Sequence, residues 1–402
     1  MTHQLYAGYA QRTVTPPLNA PVYLAGFDAN RRADAIHDDL WVRALALAWG
    51  DTRLVLACVD VIGLVRHHCL VVQERVRQKW GEWHVIVACT HTHHGPDTIG
   101  LWGPSPTRSG VDLNYLNHLK KGIADCCNDA IHVLSPVTLR TATAQVPDVV
   151  KNYRDPDIVD AELTCLQLLD RQEQIFASLL IYPCHPEVLA RGNTAITSDY
   201  ADRLRRRVEE ATGAPALFCV GGLGGMLSPA TEARTFAASE AMGETLAAAA
   251  LAALSEKEAH PVTELTFTRR EFTIPMTNPV FRMAVESGLL PPVFEPDGQV
   301  RTEAALLRLH TPAETTLLAT VPGELFPRLG LALKDQMRAA GATTAAIVGL
   351  ANDELGYILP ADDFVFPADP FDPGDHYEET MSVGADAGPR LMAICAEMVR
   401  SV

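Results

Sequence analysis

The chain has 402 residues, 48% of them hydrophobic and 20% charged, which suits a large buried core and excludes a disordered polymer. Its formal net charge of −16 argues against a nucleic-acid partner, because phosphate backbones are met by basic stripes. No apolar stretch is long enough to span a membrane, and the N-terminus lacks the basic-then-apolar order of a secretory signal.

The first fifty residues read as short strands and turns, through Val14-Thr15-Pro16-Pro17, Ala25-Gly26-Phe27 and Ile36 to Ala44. The pattern then becomes regular, with a strand at 54–59, a helix at 65–80 and a buried strand at 84–89. That strand delivers Thr90-His91-Thr92-His93-His94-Gly95-Pro96. Extended alternation would set His91 and His93 on one face, roughly 7 Å apart, with Thr92 and His94 on the other. Two imidazoles on one face suit a metal site, and equally a pair of loop histidines. Residues 95–111 are too rich in Gly and Pro for a regular element and suit a pocket rim.

A helix at 113–134 precedes strands at 137–146, 161–168 and 175–183, the last ending in Cys184-His185-Pro186. A helix at 200–212 carries the one basic run, Arg203 to Arg207, which reads as a solvated face continuing into Glu209-Glu210. The strand at 216–220 runs into the turn Gly221 to Pro229. That turn lacks the spacing of a phosphate-binding loop, so close backbone approach to a substrate and tight packing both remain open. A helix at 231–253 follows, then strands at 263–274, 302–310 and 316–321, interrupted by a Pro-rich stretch at 290–298. A helix after Pro322-Gly323-Glu324, a strand at 345–350 and a helix at 387–399 close the chain.

No repeat or linker is visible. Strand-helix alternation predicts one α/β domain over residues 1–402, of layered mixed sheets flanked by helices, with the histidine-bearing loops gathered at strand carboxyl ends. The nine cysteines form neither a disulfide framework nor a CxxC pair, which suits a reducing cytoplasm.

Read together and in order, Ala25-Gly26-Phe27, Thr90 to Pro96, Asn152-Tyr153-Arg154, His185-Pro186, Leu227-Ser228-Pro229, Val321-Pro322-Gly323-Glu324, Gly349 to Asn352 with Tyr357, and Tyr377-Glu378 resemble the catalytic domain of the neutral, non-lysosomal ceramidases. These are zinc-dependent amidases. The resemblance implies that His91, His185, Glu324 and Tyr357 ligate Zn2+ and that His93 is the general acid/base. It further implies that Arg154 and Tyr377 hold the scissile carbonyl oxygen or the tetrahedral intermediate.

Ser228 matches a family serine, but Gly225-Met226-Leu227-Ser228 replaces Gly-Asp-Val-Ser, so its acidic neighbour is missing and it reads as a hydrogen-bonding contact. His94 stands where the family has a small serine. The chain ends without the family's immunoglobulin-like C-terminal domain and lacks its secretory signal, which weighs against membrane-embedded ceramide. The expectation is a cytoplasmic zinc amidohydrolase acting on a small or lipid-like N-acyl substrate. The same parts would serve an ester or a lactone, or a metal-binding chain without turnover.

Overall fold

The computed structural model describes residues 4–401. Its architecture is one plan used three times. Each unit lays down three antiparallel strands, crosses over through a helix, adds a fourth strand parallel to the third, and finishes with a second helix.

In the first unit the strands are Tyr6–Thr13, Trp41–Trp49, Thr52–Val59 and His84–Cys89, with helices Arg66–Trp80 and Leu113–His132. The second uses Thr138–Gln145, Glu162–Leu169, Ile175–Tyr182 and Ala216–Val220, with helices Tyr200–Thr212 and Phe236–Ser255. The third uses Glu264–Pro275, Gln299–His310, Thr315–Thr320 and Thr344–Val348, with helices Pro327–Ala339 and Ala387–Arg400. No repeat is visible in the sequence, since the units share a pattern of elements and not a run of residues.

Alternation explains how three sheets share one interior. In Trp41–Trp49 the large residues Leu45 and Leu47 face a central core with Leu54 and Leu56, Leu166 and Leu179 of the second sheet, and Leu307 and Leu318 of the third. The small residues Ala44 and Ala46 face outward, where the two helices of that unit pack. The third sheet follows the same rule, with Leu307 and Leu309 inward and Ala304 and Leu306 toward its helices.

Because third and fourth strands run parallel, both end at the same edge, and the fourth strands of all three units meet there. Gly349 N donates to Val220 O at 2.9 Å and Cys89 N to Leu350 O at 3.2 Å. A Cβ on Gly349 would lie 2.4 Å from Gly221 O, so only glycine permits this approach.

Several expectations change. The N-terminal region holds two full strands of eight and nine residues. The helix expected from 231 begins at Phe236, capped by the Thr235 side chain. A short helix, Pro279–Glu286, precedes the Pro-rich stretch. The basic run is not simply a solvated face. Arg205 is fully buried and grips both oxygens of Asp60, at 2.8 and 2.9 Å, just past the end of Thr52–Val59. All nine cysteines are free and buried. No helix of the described residues is long and apolar enough to cross a membrane.

Candidate metal centre and active site

The chain leaves each strand end with a different chemical group. The fourth strand of the first unit stops at Cys89, and His91 follows in a left-handed conformation, φ 63°. The expected extended alternation therefore does not hold beyond Cys89. The turn does bring the rings together, with centroids 4.9 Å apart for His91 and His93, 5.0 Å for His91 and His185, and 5.5 Å for His93 and His185. His185 and Glu187 follow the third strand of the second unit, and Glu324 follows the third strand of the third unit. Met226, Leu350 and Asn352, around the same edge, also take positive φ. Left-handed non-glycine residues cost about 1 kcal/mol or more each, and their gathering here is where function is expected to impose them.

His91 and His185 are held alike. His91 Nδ1 lies 2.6 Å from Ile62 O, and His185 Nδ1 lies 2.8 Å from Leu227 O. A carbonyl only accepts, so each Nδ1 carries the proton and each Nε2 is left with a bare lone pair. Both bare nitrogens face one carboxylate oxygen, Glu324 Oε2, at 3.5 Å from His91 and 3.1 Å from His185. Three electron-rich atoms converging inside the protein repel unless a cation or a proton lies among them. This donor set fits a metal ion, with the outer nitrogens fixed by backbone oxygens as ligand histidines require.

Burial alone would raise Glu324, yet the neighbouring His91 and His185 more than offset it and hold the carboxyl well below its usual range. Burial opposes charge on His185, but Glu324 and Glu187 outweigh it and raise the imidazole.

His93 belongs to the same cluster, since His91, His93 and His185 each offer a nitrogen within 4.8 Å of the others. Its Nδ1 lies 3.2 Å from Glu187 Oε2, with poor alignment, and neither ring nitrogen makes a well-formed hydrogen bond. Burial lowers the ring from 6.5 to about 4 against the opposing pull of Glu187. Gly26, with φ 101°, lets the ring sit where it does: a Cβ there would fall 2.4 Å from His93 Cγ. The Phe27 ring packs edge-on against it at 5.0 Å.

Tyr357 pairs with Glu324 across a short parallel bridge, lines a cavity that opens above the histidines, and its hydroxyl contacts Met226 Sδ at 3.2 Å. Tyr377 lines the cavity too, its ring 6.1 Å from that of Tyr357. Desolvation, reinforced by Glu324, pushes both phenols up, so both are protonated donors near neutrality. Tyr377 is 43% exposed over the whole residue, so it stands where the cavity meets solvent.

Arg154 is placed differently from the expectation. It makes no part of the cavity wall; its guanidinium is engaged by Glu379 at 2.8 and 2.9 Å and by Glu378 at 3.1 Å. It therefore grips the residues that follow Tyr377. Ser228 does have an acidic partner, because its hydroxyl donates to Glu187 Oε1. The acid absent at position 226 comes from the 185–187 turn. Glu187 has one signal in the sequence, its place two residues after a strand-end histidine, which does not mark it as a site residue. The glycine-rich turn is a packing device: Cβ atoms on Gly222 and Gly224 would meet Leu325 O at 3.3 Å and Glu324 O at 2.4 Å. It seats the Glu324 backbone.

Above the cluster opens a cavity of about 850 Å³. Its wall is largely apolar, built from Trp102, Phe281, Leu290, Val293 and Phe294 among others. The Pro-rich stretch thus forms wall, a role its composition did not reveal, and the expected rim contributes through Ile99, Leu101 and Trp102.

Fold and site together define an α/β protein with a candidate metal centre where three sheets converge, under an apolar chamber. No protein-family model and no curated protein sequence matches the chain. Solved structures do. The crystal structure of neutral ceramidase from Pseudomonas aeruginosa matches with a TM-score of 0.79 at 17% identity, over 99% of this chain and 74% of that one. A structure described as ceramidase complexed with C2 matches with a TM-score of 0.78 at 16% identity, over 99% and 75%. The chain has the neutral ceramidase fold.

Proposed function

We propose that this chain is a zinc-dependent amidohydrolase that cleaves an N-acyl, lipid-like amide. The observation that carries the reading is the convergence of two carbonyl-pinned histidines on one oxygen of Glu324 at the floor of an apolar chamber. Two solved structures of the same fold are described as ceramidases, which supports an amide bond as the target.

His91, His185 and Glu324 would hold the ion, with Tyr357 beside Glu324 as the fourth protein group. Zinc at such a site polarises a carbonyl and makes water acidic near neutrality. His93, uncharged at neutral pH because it is buried, accepts the proton of the attacking water and returns it to the leaving nitrogen. The Tyr377 hydroxyl is the donor to the carbonyl oxygen as charge develops there, and Arg154 acts through it by fixing Glu378 and Glu379. Ser228 is a hydrogen-bonding contact. The acyl chain lies along Phe281, Leu290 and Phe294. Nine reduced, buried thiols accord with a cytoplasmic location.

The test is hydrolysis of a fluorogenic N-acyl amide and its matched ester. Activity on the amide is expected to vanish with a chelator and return with zinc. Undiminished turnover in chelator, or turnover of the ester alone, would overturn the reading.

A further inference from the structure

Two of the three site histidines are pinned by hydrogen bonds to main-chain oxygens, and the third faces a carboxylate. His91 and His185 turn Nδ1 to main-chain oxygens, those of Ile62 and Leu227. The oxygen facing His93 Nδ1 is instead a side-chain carboxylate, Glu187 Oε2, at 3.2 Å. Glu187 is buried, and its other oxygen is taken by the Ser228 hydroxyl. The two turns are also tied through the backbone, His93 N donating to Pro186 O at 3.3 Å. A carbonyl can fix a tautomer, whereas a carboxylate can also stabilise the ring when it becomes a cation. That partner gives His93 a support for positive charge that the carbonyl-pinned His91 and His185 lack.

We infer that Glu187 is the positioning residue of the proton-carrying His93, with Ser228 anchoring the carboxylate and taking no covalent part. The inference rests on the zinc amidohydrolase reading for its chemistry. Glu187 keeps the proton on Nδ1 and turns Nε2 toward the reacting atoms. Nε2 takes a proton from water as the water oxygen bonds to the carbonyl carbon, then gives it to nitrogen as the C–N bond breaks. The Nδ1 proton stays on the ring, and Glu187 stays ionised throughout. The role also accounts for Met226, since the acid that a serine at 228 would otherwise find two residues upstream arrives from the neighbouring turn.

Two measurements on the full chain test this. In the zinc-loaded protein, Glu187→Gln is expected to lower kcat by about 10²- to 10³-fold while leaving KM within about threefold and zinc content unchanged. Glu187→Asp is expected to recover part of the loss, and Ser228→Ala to cost no more than about tenfold. Independently of turnover, nitrogen NMR of ¹⁵N-histidine-labelled protein, with His93 assigned by its loss in His93→Gln, is expected to show the Nδ1–H tautomer in the unsubstituted chain and a mixture in Glu187→Gln. A Glu187→Gln kcat within twofold of the unsubstituted chain, abolition of activity by Ser228→Ala, or a His93 protonated at Nε2 alone would overturn the assignment. Should Glu187→Gln fail to fold, the tautomer of the unsubstituted chain decides. Should that chain hydrolyse no amide, the zinc reading falls and the tautomer still decides for Glu187.

Discussion

His185 Nε2 and Glu324 Oε2 stand 3.1 Å apart although 139 residues separate them along the chain. Each sits just past the third strand of its own unit, so repetition of one topology places them face to face. The first unit supplies His91 from its fourth strand to the same oxygen, 3.5 Å away. Removing the charge at Glu324 should therefore act on the ion before it acts on the fold. Glu324→Gln is expected to weaken zinc binding by at least about 100-fold in a competition titration with a fluorescent chelator. Unchanged affinity would remove Glu324 from the ligand set.

Gly26 is expected to be essential to the geometry of His93 without touching the metal. An alanine there would be strained by φ 101° and would place its Cβ 2.4 Å from the imidazole Cγ. Gly26→Ala should cost about 1–3 kcal/mol of stability and lower kcat at least tenfold, with metal content preserved. Loss of metal in proportion to activity would mean that the ring belongs to the coordination sphere.

Stability should fall with rising pH through one group near the site. Asp353 is buried, and desolvation raises it from 3.8 to about 6. An acid raised in the folded state contributes its full stability below the unfolded value and loses it as pH climbs through the folded one. The window is thus pH 3.8 to 6. Asp353→Asn keeps an Oδ1 for the two backbone N–H groups of Arg66 and Glu354 and cannot ionise. Its unfolding free energy should match that of the unsubstituted chain at pH 4 and exceed it at pH 8, by up to ~3 kcal/mol. Equal stabilities at both pH values would contradict the raised carboxyl.

Chain-length preference reads the chamber. Each methylene that moves from water into the apolar wall is worth about 0.8 kcal/mol, so kcat/KM should rise roughly fourfold per carbon until the cavity of about 850 Å³ is filled. Val293→Glu should flatten that series at the long end. Equal rates for acetyl and long-chain amides would point to a small soluble substrate.

Much of this was legible from the chain because buried strands advertise themselves. His84–Cys89, Tyr200–Thr212 and Ala216–Val220 have the bounds that apolar runs and caps imply. His91 and His185 were visible as strand-end histidines, whereas Glu324 and Tyr357 came only through resemblance, for neither has a periodicity to announce it. What escaped was set by tertiary approach. A left-handed His91 cannot be told from an extended one by alternation. Arg205 reads as a surface base until Asp60 is found beneath it. Glu187 meets His93 only because a turn from another unit lies against it, and a Pro-rich stretch becomes a cavity wall only once it is folded over that space.

Anomalous diffraction at the zinc edge from crystals soaked in zinc would locate an ion held by His91, His185 and Glu324. A single strong peak is expected within about 2.0–2.2 Å of His91 Nε2, His185 Nε2 and a Glu324 carboxylate oxygen. A map without a peak there, while those three side chains hold the positions described, would contradict that ligand set.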